Sequence, residues 1–330
     1  MKYSKKEKLL GMLVGCAYGD AMGMPSEMMT RDILNKTFPD GIYDFLSSSK
    51  NDFFQRHFQA GEVTDDTVNT LLVCDVIIEN GKFDTLSYLK KLQTWVDENP
   101  EKNQSQIGPS TAKALALLKQ GKDYHLSGLY GTTNGSAMKV FPLGIIGDYQ
   151  NLNALVDNVS ALCLPTHNTN IAITGASIIC ALASFALRNE YDEEKLWTIA
   201  SDVYVIGMQK GTQLPSPSLK KRLELIKEDL HLLTEEEMLN KLETVYGAGF
   251  ETIETIPAVL AVITLSKGNP IKAAELCANL SGDSDTIGAI STAICGAFNP
   301  IFNKQRIRKL EVINHIDFNQ YVDHLLPLLI

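Results

Sequence analysis

An all-α fold is predicted for this chain, and three observations predict it. Apolar residues recur at helical spacing in one segment after another. Runs of alternating, strand-like polarity are almost absent. Many segments also open on a residue that caps helix N-termini.

Taken in order, the spacing predicts helices over residues 5–21, 66–80, 84–98, 109–119, 136–146, 152–163 and 170–188. Further helices are expected over 193–209, 218–228, 235–243, 255–266, 270–279, 286–297 and 317–328. Their starts carry signals: Asp84, Ser110, Asp192, Thr234 with Glu237 three residues on, and Asn269-Pro270. The stretch Ile171–Leu187 has 17 residues without a charge, the lower limit of a membrane span. It contains Thr174, Gly175, Ser177 and Ser184, so a buried central helix is expected instead. The long connections 38–63 and 121–135 are rich in Gly, Asp, Ser and aromatic residues, and loops of that length are usually functional.

Bulk properties narrow the class. The chain has 330 residues, of which 45% are hydrophobic, ample for a core. A net charge of −9 excludes a protein that coats nucleic acid through a basic face. The six cysteines (Cys16, Cys74, Cys163, Cys180, Cys277, Cys295) form no CxxC pair and read as reduced thiols of a cytoplasmic protein. Lys2, Lys5, Lys6 and Lys8 ahead of Leu9–Tyr18 imitate a signal peptide, but the apolar run is short. No membrane partner is expected.

Two acidic motifs carry the chemistry. Thr64-Asp65-Asp66-Thr67 opens one apolar helix, with Val68, Leu71, Leu72 and Val76 at helical spacing. Asp283-Ser284-Asp285-Thr286 opens another, followed by Ile287, Ile290, Ala293 and Ile294. A helix cap needs one side chain, and each motif offers three or four. If the two starts meet, four carboxylates converge with threonine hydroxyls and repel one another unless cations lie among them. An all-oxygen set without Cys or His favours Mg²⁺ or Mn²⁺ over zinc. Motifs near both ends that must converge argue for one domain spanning 1–330.

Three further stretches lie in order with these two. They are Gly15-Cys16-Ala17-Tyr18-Gly19-Asp20-Ala21-Met22-Gly23-Met24-Pro25-Ser26-Glu27, Asn134-Gly135-Ser136-Ala137-Met138 and Pro165-Thr166-His167. Together the five resemble the ADP-ribosylglycohydrolase family, which includes dinitrogenase reductase-activating glycohydrolases, ADP-ribosyl-acceptor hydrolases and certain lens crystallins. The resemblance runs from about residue 10 to about residue 298.

It implies an orthogonal multi-helix bundle acting as a single catalytic domain. It also implies two Mg²⁺ ions (or Mn²⁺) held by Thr64, Asp65 and Asp66 on one side and Asp283, Asp285 and Thr286 on the other. Asp20 and Glu27 would line the cleft, with Glu27 the candidate acid/base; Asp66 and Asp283 complete the candidate catalytic set. Asn134, Gly135, Ser136 and His167 would bind substrate. Ser284 would point away from the metals, with Asp283 and Asp285 on one side of a strand-like or pre-helical loop.

The implied reaction is metal-dependent hydrolysis of a ribosyl glycosidic bond in an ADP-ribosylated or ADP-ribose-derived substrate. Departures lie at Asn168-Thr169-Asn170, where the family commonly has Asp-Pro after Thr-His-x, at Ser281-Gly282 in place of Gly-Gly, and at Lys139 in place of Arg. The altered loops at 132–139 and 166–170 motivate a second reading, a ribonucleoside or small ribosyl-conjugate hydrolase in nucleoside salvage. A third, a non-catalytic crystallin-like binder, has no need of so costly a carboxylate cluster.

Overall fold

The computed structural model describes residues 2–330 and is helical from end to end. First come α1 (Lys5–Gly23), α2 (Arg31–Thr37), α3 (Asp65–Asn80) and α4 (Thr85–Glu98). Next are α5 (Pro100–Asn103), α6 (Pro109–Lys119), α7 (Leu143–Ile146), α8 (Leu152–Cys163) and α9 (Asn170–Arg188). They are followed by α10 (Glu193–Gly207), α11 (Leu219–Leu232), α12 (Glu235–Lys241), α13 (Thr252–Ser266) and α14 (Pro270–Ala278). Last are α15 (Ser284–Phe298), α16 (Lys304–Asn314) and α17 (Phe318–Leu325). Among the described residues there is no strand, only isolated bridges between Thr133 and Glu251 and between Thr169 and Thr212.

The caps account for most of these starts. Asp84 accepts from the Ser87 amide at 2.7 Å, Asp192 from Lys195 at 3.0 Å, and Asn269 from Ile271 at 3.0 Å. Thr234 and Glu237 close a reciprocal capping box. Ser110 is no cap: Pro109 is the first helical residue, with Gly108 at the cap position.

Three expectations fail for identifiable reasons. The helix expected over 136–146 is a 3₁₀ turn, Asn134–Lys139, followed by the short α7. Pro142 has no amide hydrogen and disfavours helical backbone in the residue before it, which divides the segment. Helices α2 and α16 were not expected, because each buries a single residue, Leu34 and Leu310, and shows too little apolar periodicity. The Asp-Ser-Asp segment is not strand-like: Asp283 is the cap residue of α15, and Asp285 lies in its first turn.

Helix α9 is the central rod. It is long and apolar enough to cross a membrane, yet it is buried in the protein throughout that stretch. Beside it, α1 and α15 run antiparallel along a seam of small residues. Gly11, Gly15, Gly19 and Gly23 face Gly296, Thr292, Gly288 and Ser284 in turn, each series stepping by four. A Cβ on Gly19 would lie 2.0 Å from the Gly288 carbonyl oxygen, and one on Gly23 would lie 2.2 Å from that of Ser284. The backbones touch, so glycine is required.

At the far end of the seam, buried Lys8 donates to the carbonyls of Ala186 (2.9 Å), Asn189 (2.7 Å) and Ala297 (3.1 Å). It thus closes the C-terminal ends of α9 and α15 with one cation. At the near end, the last turn of α1 meets the first turn of α15, and there the acidic residues gather.

Candidate metal centre

Asp20, on the last turns of α1, brings the first motif to the second. Its carboxylate accepts the Thr64 amide at 3.0 and 3.1 Å and the Thr67 amide at 3.1 Å. The Thr67 hydroxyl donates to the same carboxylate. An anion at the N-terminus of α3 satisfies orphan amides and suits the helix dipole. Asp20 is wholly buried and its carboxylate is engaged in docking α3.

With α3 docked, Asp66 faces α15. The Thr286 hydroxyl donates to Asp66 Oδ2 at 3.3 Å, and the Thr64 hydroxyl donates to the same oxygen at 3.2 Å. The two motifs therefore meet, as their composition suggested. Thr64 meanwhile accepts the Asp66 amide and acts as the cap of α3. Asp66 Oδ1 is buried without a hydrogen-bond partner. Asp65, beside it, is half-buried.

On the α15 side, carboxylate oxygens of Glu27, Asp283 and Asp285 lie within 4.8 Å of one another, and all three residues are buried. Asp283 occupies the cap position but makes no capping bond. Its carboxylate accepts instead from the Asn134 side-chain Nδ2, which also donates to Thr255 Oγ1 at 2.9 Å.

The turn before α15 depends on Gly282, at φ +90°. Its carbonyl accepts the Met28 amide at 2.6 Å, and the next amide, Asp283, reaches Ala248 at 2.7 Å. This pairing holds the Glu27 segment beside α15, with Met28 itself left-handed at φ +58°. Only Gly282 needs positive φ, so Ser281 is accommodated where the family has a second glycine. Ser284 points away from the pocket, as expected, and donates to the Gly23 carbonyl at 2.9 Å.

The electrostatics follow from burial. Asp20 and Asp65 are pushed up to about 7, first by desolvation and then by the charge of Asp285. Glu27, Asp66 and Asp283 are held well above the usual carboxylate range by the same two causes in the same order. Such a set asks for positive charge. Hard oxygen donors, with Asp66 Oδ1 and Glu27 Oε2 buried and without a hydrogen-bond partner, suit a metal cation that prefers oxygen.

The loops sort differently. Gly135 is half-exposed, whereas Asn134 and Ser136 are buried. A Cβ on Gly135 would lie 2.7 Å from the His167 ring. His167 is 2% exposed and braces this loop from beneath, with Nε2 2.8 Å from Thr133 Oγ1 and Nδ1 2.8 Å from Thr166 Oγ1. The structure therefore places His167 beneath the 133–136 loop instead of on its surface. Thr169 caps α9, and Asn170 Oδ1 accepts the Ile171 and Leu214 amides, so the departures at 169 and 170 lie within packing.

Burial, then the charge of Lys139, lowers His167 to about 3 from 6.5. A base whose folded value is depressed contributes stability above its unfolded value and loses it as pH falls. We expect wild type to lose stability between about pH 6.5 and 3 more steeply than His167→Gln, measured as the difference between their denaturant midpoints across that range. Parallel profiles would show that His167 titrates as an exposed imidazole.

Sequence reasoning missed two residues, Arg56 and Asp52, and named Lys139 only as a departure from the family pattern. Arg56, in the long loop before α3, has its Nη1 2.6 Å from Glu27 Oε2. Asp52 holds the same guanidinium from the other side at 3.1 Å. Lys139 is buried, with its ammonium donating to the Gly135 carbonyl, and burial lowers it to about 8. The one available signal was a cation amid Phe53, Phe54 and Phe58 in a long loop.

The fold and pocket thus define a class: an all-α protein whose two distant acidic helix starts meet, with Glu27, Asp283 and Asp285 beside the junction forming a buried carboxylate group that could hold metal. The model of the ADP-ribosylglycohydrolase family matches residues 1–301, and the chain belongs to that family. An uncharacterized Escherichia coli (strain K12) protein, YegU, is 35% identical over 324 residues, covering 96% of each chain. The ADP-ribosylarginine hydrolase Tri1 of Pseudomonas putida (strain GB-1) is 26% identical over 298 residues, 88% of this chain and 70% of that protein. A solved chain titled "ADP-ribosylglycohydrolase-related protein complex" superposes with a TM-score of 0.73 at 20% identity, covering 99% of both chains.

Proposed function

We propose that this protein is a Mg²⁺- or Mn²⁺-dependent hydrolase of the glycosidic bond at the ribose anomeric carbon of an ADP-ribosyl group, with arginine as the first acceptor to test. The observation that carries this reading is the junction of the two motifs, Thr286 to Asp66, with Asp66 Oδ1 buried and unpartnered beside it. The named activity of the Pseudomonas putida relative supports the choice of acceptor. A site shared by residues 20 to 286 supports a single catalytic domain over 1–330.

In this reading Thr64, Asp65, Asp66, Asp283, Asp285 and Thr286 hold the cations. Bound there, the cations would supply the Lewis-acid charge that orients the ribose diol and a nearby water. Asp20 is a positioning residue, because its carboxylate docks α3. Glu27 takes the proton of the attacking water as the new bond to the anomeric carbon forms. The old bond to the acceptor nitrogen breaks, its electron pair staying on that nitrogen, which ends with the proton that Glu27 took from the water. The developing oxocarbenium charge is stabilised by the surrounding carboxylates, Asp66 and Asp283 among them. Exposed Tyr130 and Phe250, on the loops beside Asn134, offer faces on which a nucleobase can stack.

The nucleoside-hydrolase reading loses part of its motive, since Thr169 and Asn170 among the departures are buried in packing. The test offers the purified protein ADP-ribosylarginine, ADP-ribosylserine and a nucleoside panel, with added Mg²⁺ or Mn²⁺ and with chelator. Release of free ADP-ribose that requires the cation is expected, by at least ~10²-fold over the chelated control. Free ribose from nucleosides alone would replace this reading with the salvage one. No product from any of them would leave the proposed reaction without support.

A further inference from the structure

One built feature takes no part in that reaction, the guanidinium of Arg56. It comes from the irregular loop between α2 and α3, and its side chain is only 13% exposed. Asp52, whose side chain is 2% exposed, organises that loop. Its Oδ1 accepts the amides of Phe54 at 2.8 Å and Arg56 at 3.3 Å, while its Oδ2 takes the Arg56 Nε at 3.2 Å and Nη2 at 3.1 Å. The rings of Phe54 and Phe58 lie 4.9 and 5.2 Å from the guanidinium carbon. One nitrogen is left over, Nη1, and it points at Glu27.

The Nη1–Glu27 contact differs in kind from the others. At 2.6 Å it is an ion pair, yet it is not aligned as a hydrogen bond, and Glu27 Oε2 has no other partner. Glu27 is also the residue whose carboxylate stands with Asp283 and Asp285 in the group of oxygens within 4.8 Å. A positive charge therefore already stands against the outer edge of that group. On the opposite side Lys139 plays no such part, since its ammonium is turned to the Gly135 carbonyl and the ring of Tyr88, 5.5 Å away.

We propose that Arg56 is the resident counter-cation of the Glu27, Asp283 and Asp285 side of the pocket, holding Glu27 in the cation-free protein and giving it up when a divalent cation binds. The inference rests on the reading that this pocket binds such a cation. Guanidinium fits this role because it is weakly hydrated, permanently charged and fixed by its fork on Asp52. Without it, three buried carboxylates would share one small space, and they would separate or take up protons. The exchange needs no opening of the loop, because Asp52 and the two rings keep the guanidinium in place while a single misaligned contact breaks. The arrangement also discriminates by charge. A monovalent cation offers Glu27 no more than Arg56 does, whereas a divalent one doubles the attraction.

The test reads binding, not turnover. Mn²⁺ is titrated calorimetrically into wild type, Arg56→Gln and Arg56→Lys, and each is melted without metal. Arg56→Gln is expected to melt lower without metal and to bind Mn²⁺ about tenfold tighter, because a competing positive charge is gone. Arg56→Lys, which keeps the charge, is expected to stay within about threefold of wild type. Equal or weaker Mn²⁺ binding by Arg56→Gln would show that Arg56 only braces the loop. Wild type that binds no Mn²⁺ would instead remove the cation reading itself. If Arg56→Gln does not fold, the guanidinium Nε–H resonance of Arg56 in wild type decides. It should shift on addition of Mg²⁺, and an unmoved resonance overturns the exchange.

Discussion

Asp285→Asn should abolish cation-dependent turnover, by at least ~10²-fold, while the metal-free protein melts no lower than wild type. Both halves follow from where Asp285 sits. It lies in the first turn of α15, buried, and accepts the Thr286 amide at 3.0 Å, a bond that the amide oxygen of Asn can still take. Its charge is the strongest electrostatic influence, after burial, on Asp20, Glu27, Asp65, Asp66 and Asp283. Removing that charge relieves repulsion at five neighbours and, on the proposed reading, deletes a ligand for the cation. Stabilisation by a bound ligand grows with its concentration relative to its dissociation constant, so added Mg²⁺ should raise the melting temperature of the variant much less. Melting curves with and without Mg²⁺, alongside the ADP-ribose release assay, check both parts. Equal metal-dependent shifts in the two proteins would show that Asp285 holds no cation.

Gly19→Ala should destabilise the fold by about 3 kcal/mol, the upper end for overpacking, although it adds one methyl group to a helix. In an open helix this substitution would stabilise by about 1 kcal/mol through propensity. Here the new Cβ would meet the Gly288 carbonyl oxygen at 2.0 Å and its carbon at 2.4 Å. Those are backbone atoms of another helix, with no rotamer to change. The only relief is separation of α1 from α15, which pulls Asp20 and Glu27 away from Asp283 and Asp285. Stability and Mn²⁺ affinity should therefore fall together, measured by denaturant unfolding and calorimetry. Gly108→Ala is the control: nothing lies within 4 Å of its Cβ position, and a change under ~1 kcal/mol is expected there. If the two substitutions behaved alike, the seam would not be the close contact described.

Much of this protein could be read locally. Helix caps are local chemistry, so Asp84, Asp192, Thr234 and Asn269 marked their helices correctly. The excess of carboxylates in the two acidic motifs was likewise visible, because a cap uses one side chain and leaves the rest unexplained. Helices α2 and α16 were not visible, since each buries one residue and so lacks apolar periodicity, although Thr30 and Asn303 cap them locally.

Within the pocket the division is the same. The residue types at 64–67 and 283–286 set the donor chemistry on their own: hard oxygens, dense negative charge and helix starts. That the two starts meet is decided by Asp20 and by the glycine seam, whose four-residue steps were present in each helix but whose pairing is a tertiary fact. Burial then divided the remaining candidates. His167, which the motif placed near substrate, became a brace beneath the loop, because its ring fills the space a side chain on Gly135 would need. Arg56 entered the pocket from a loop 29 residues beyond Glu27, with no periodicity to announce it. Composition and spacing determined which groups this protein could use, while close helix packing decided which of them share one desolvated space, where charge acts most strongly.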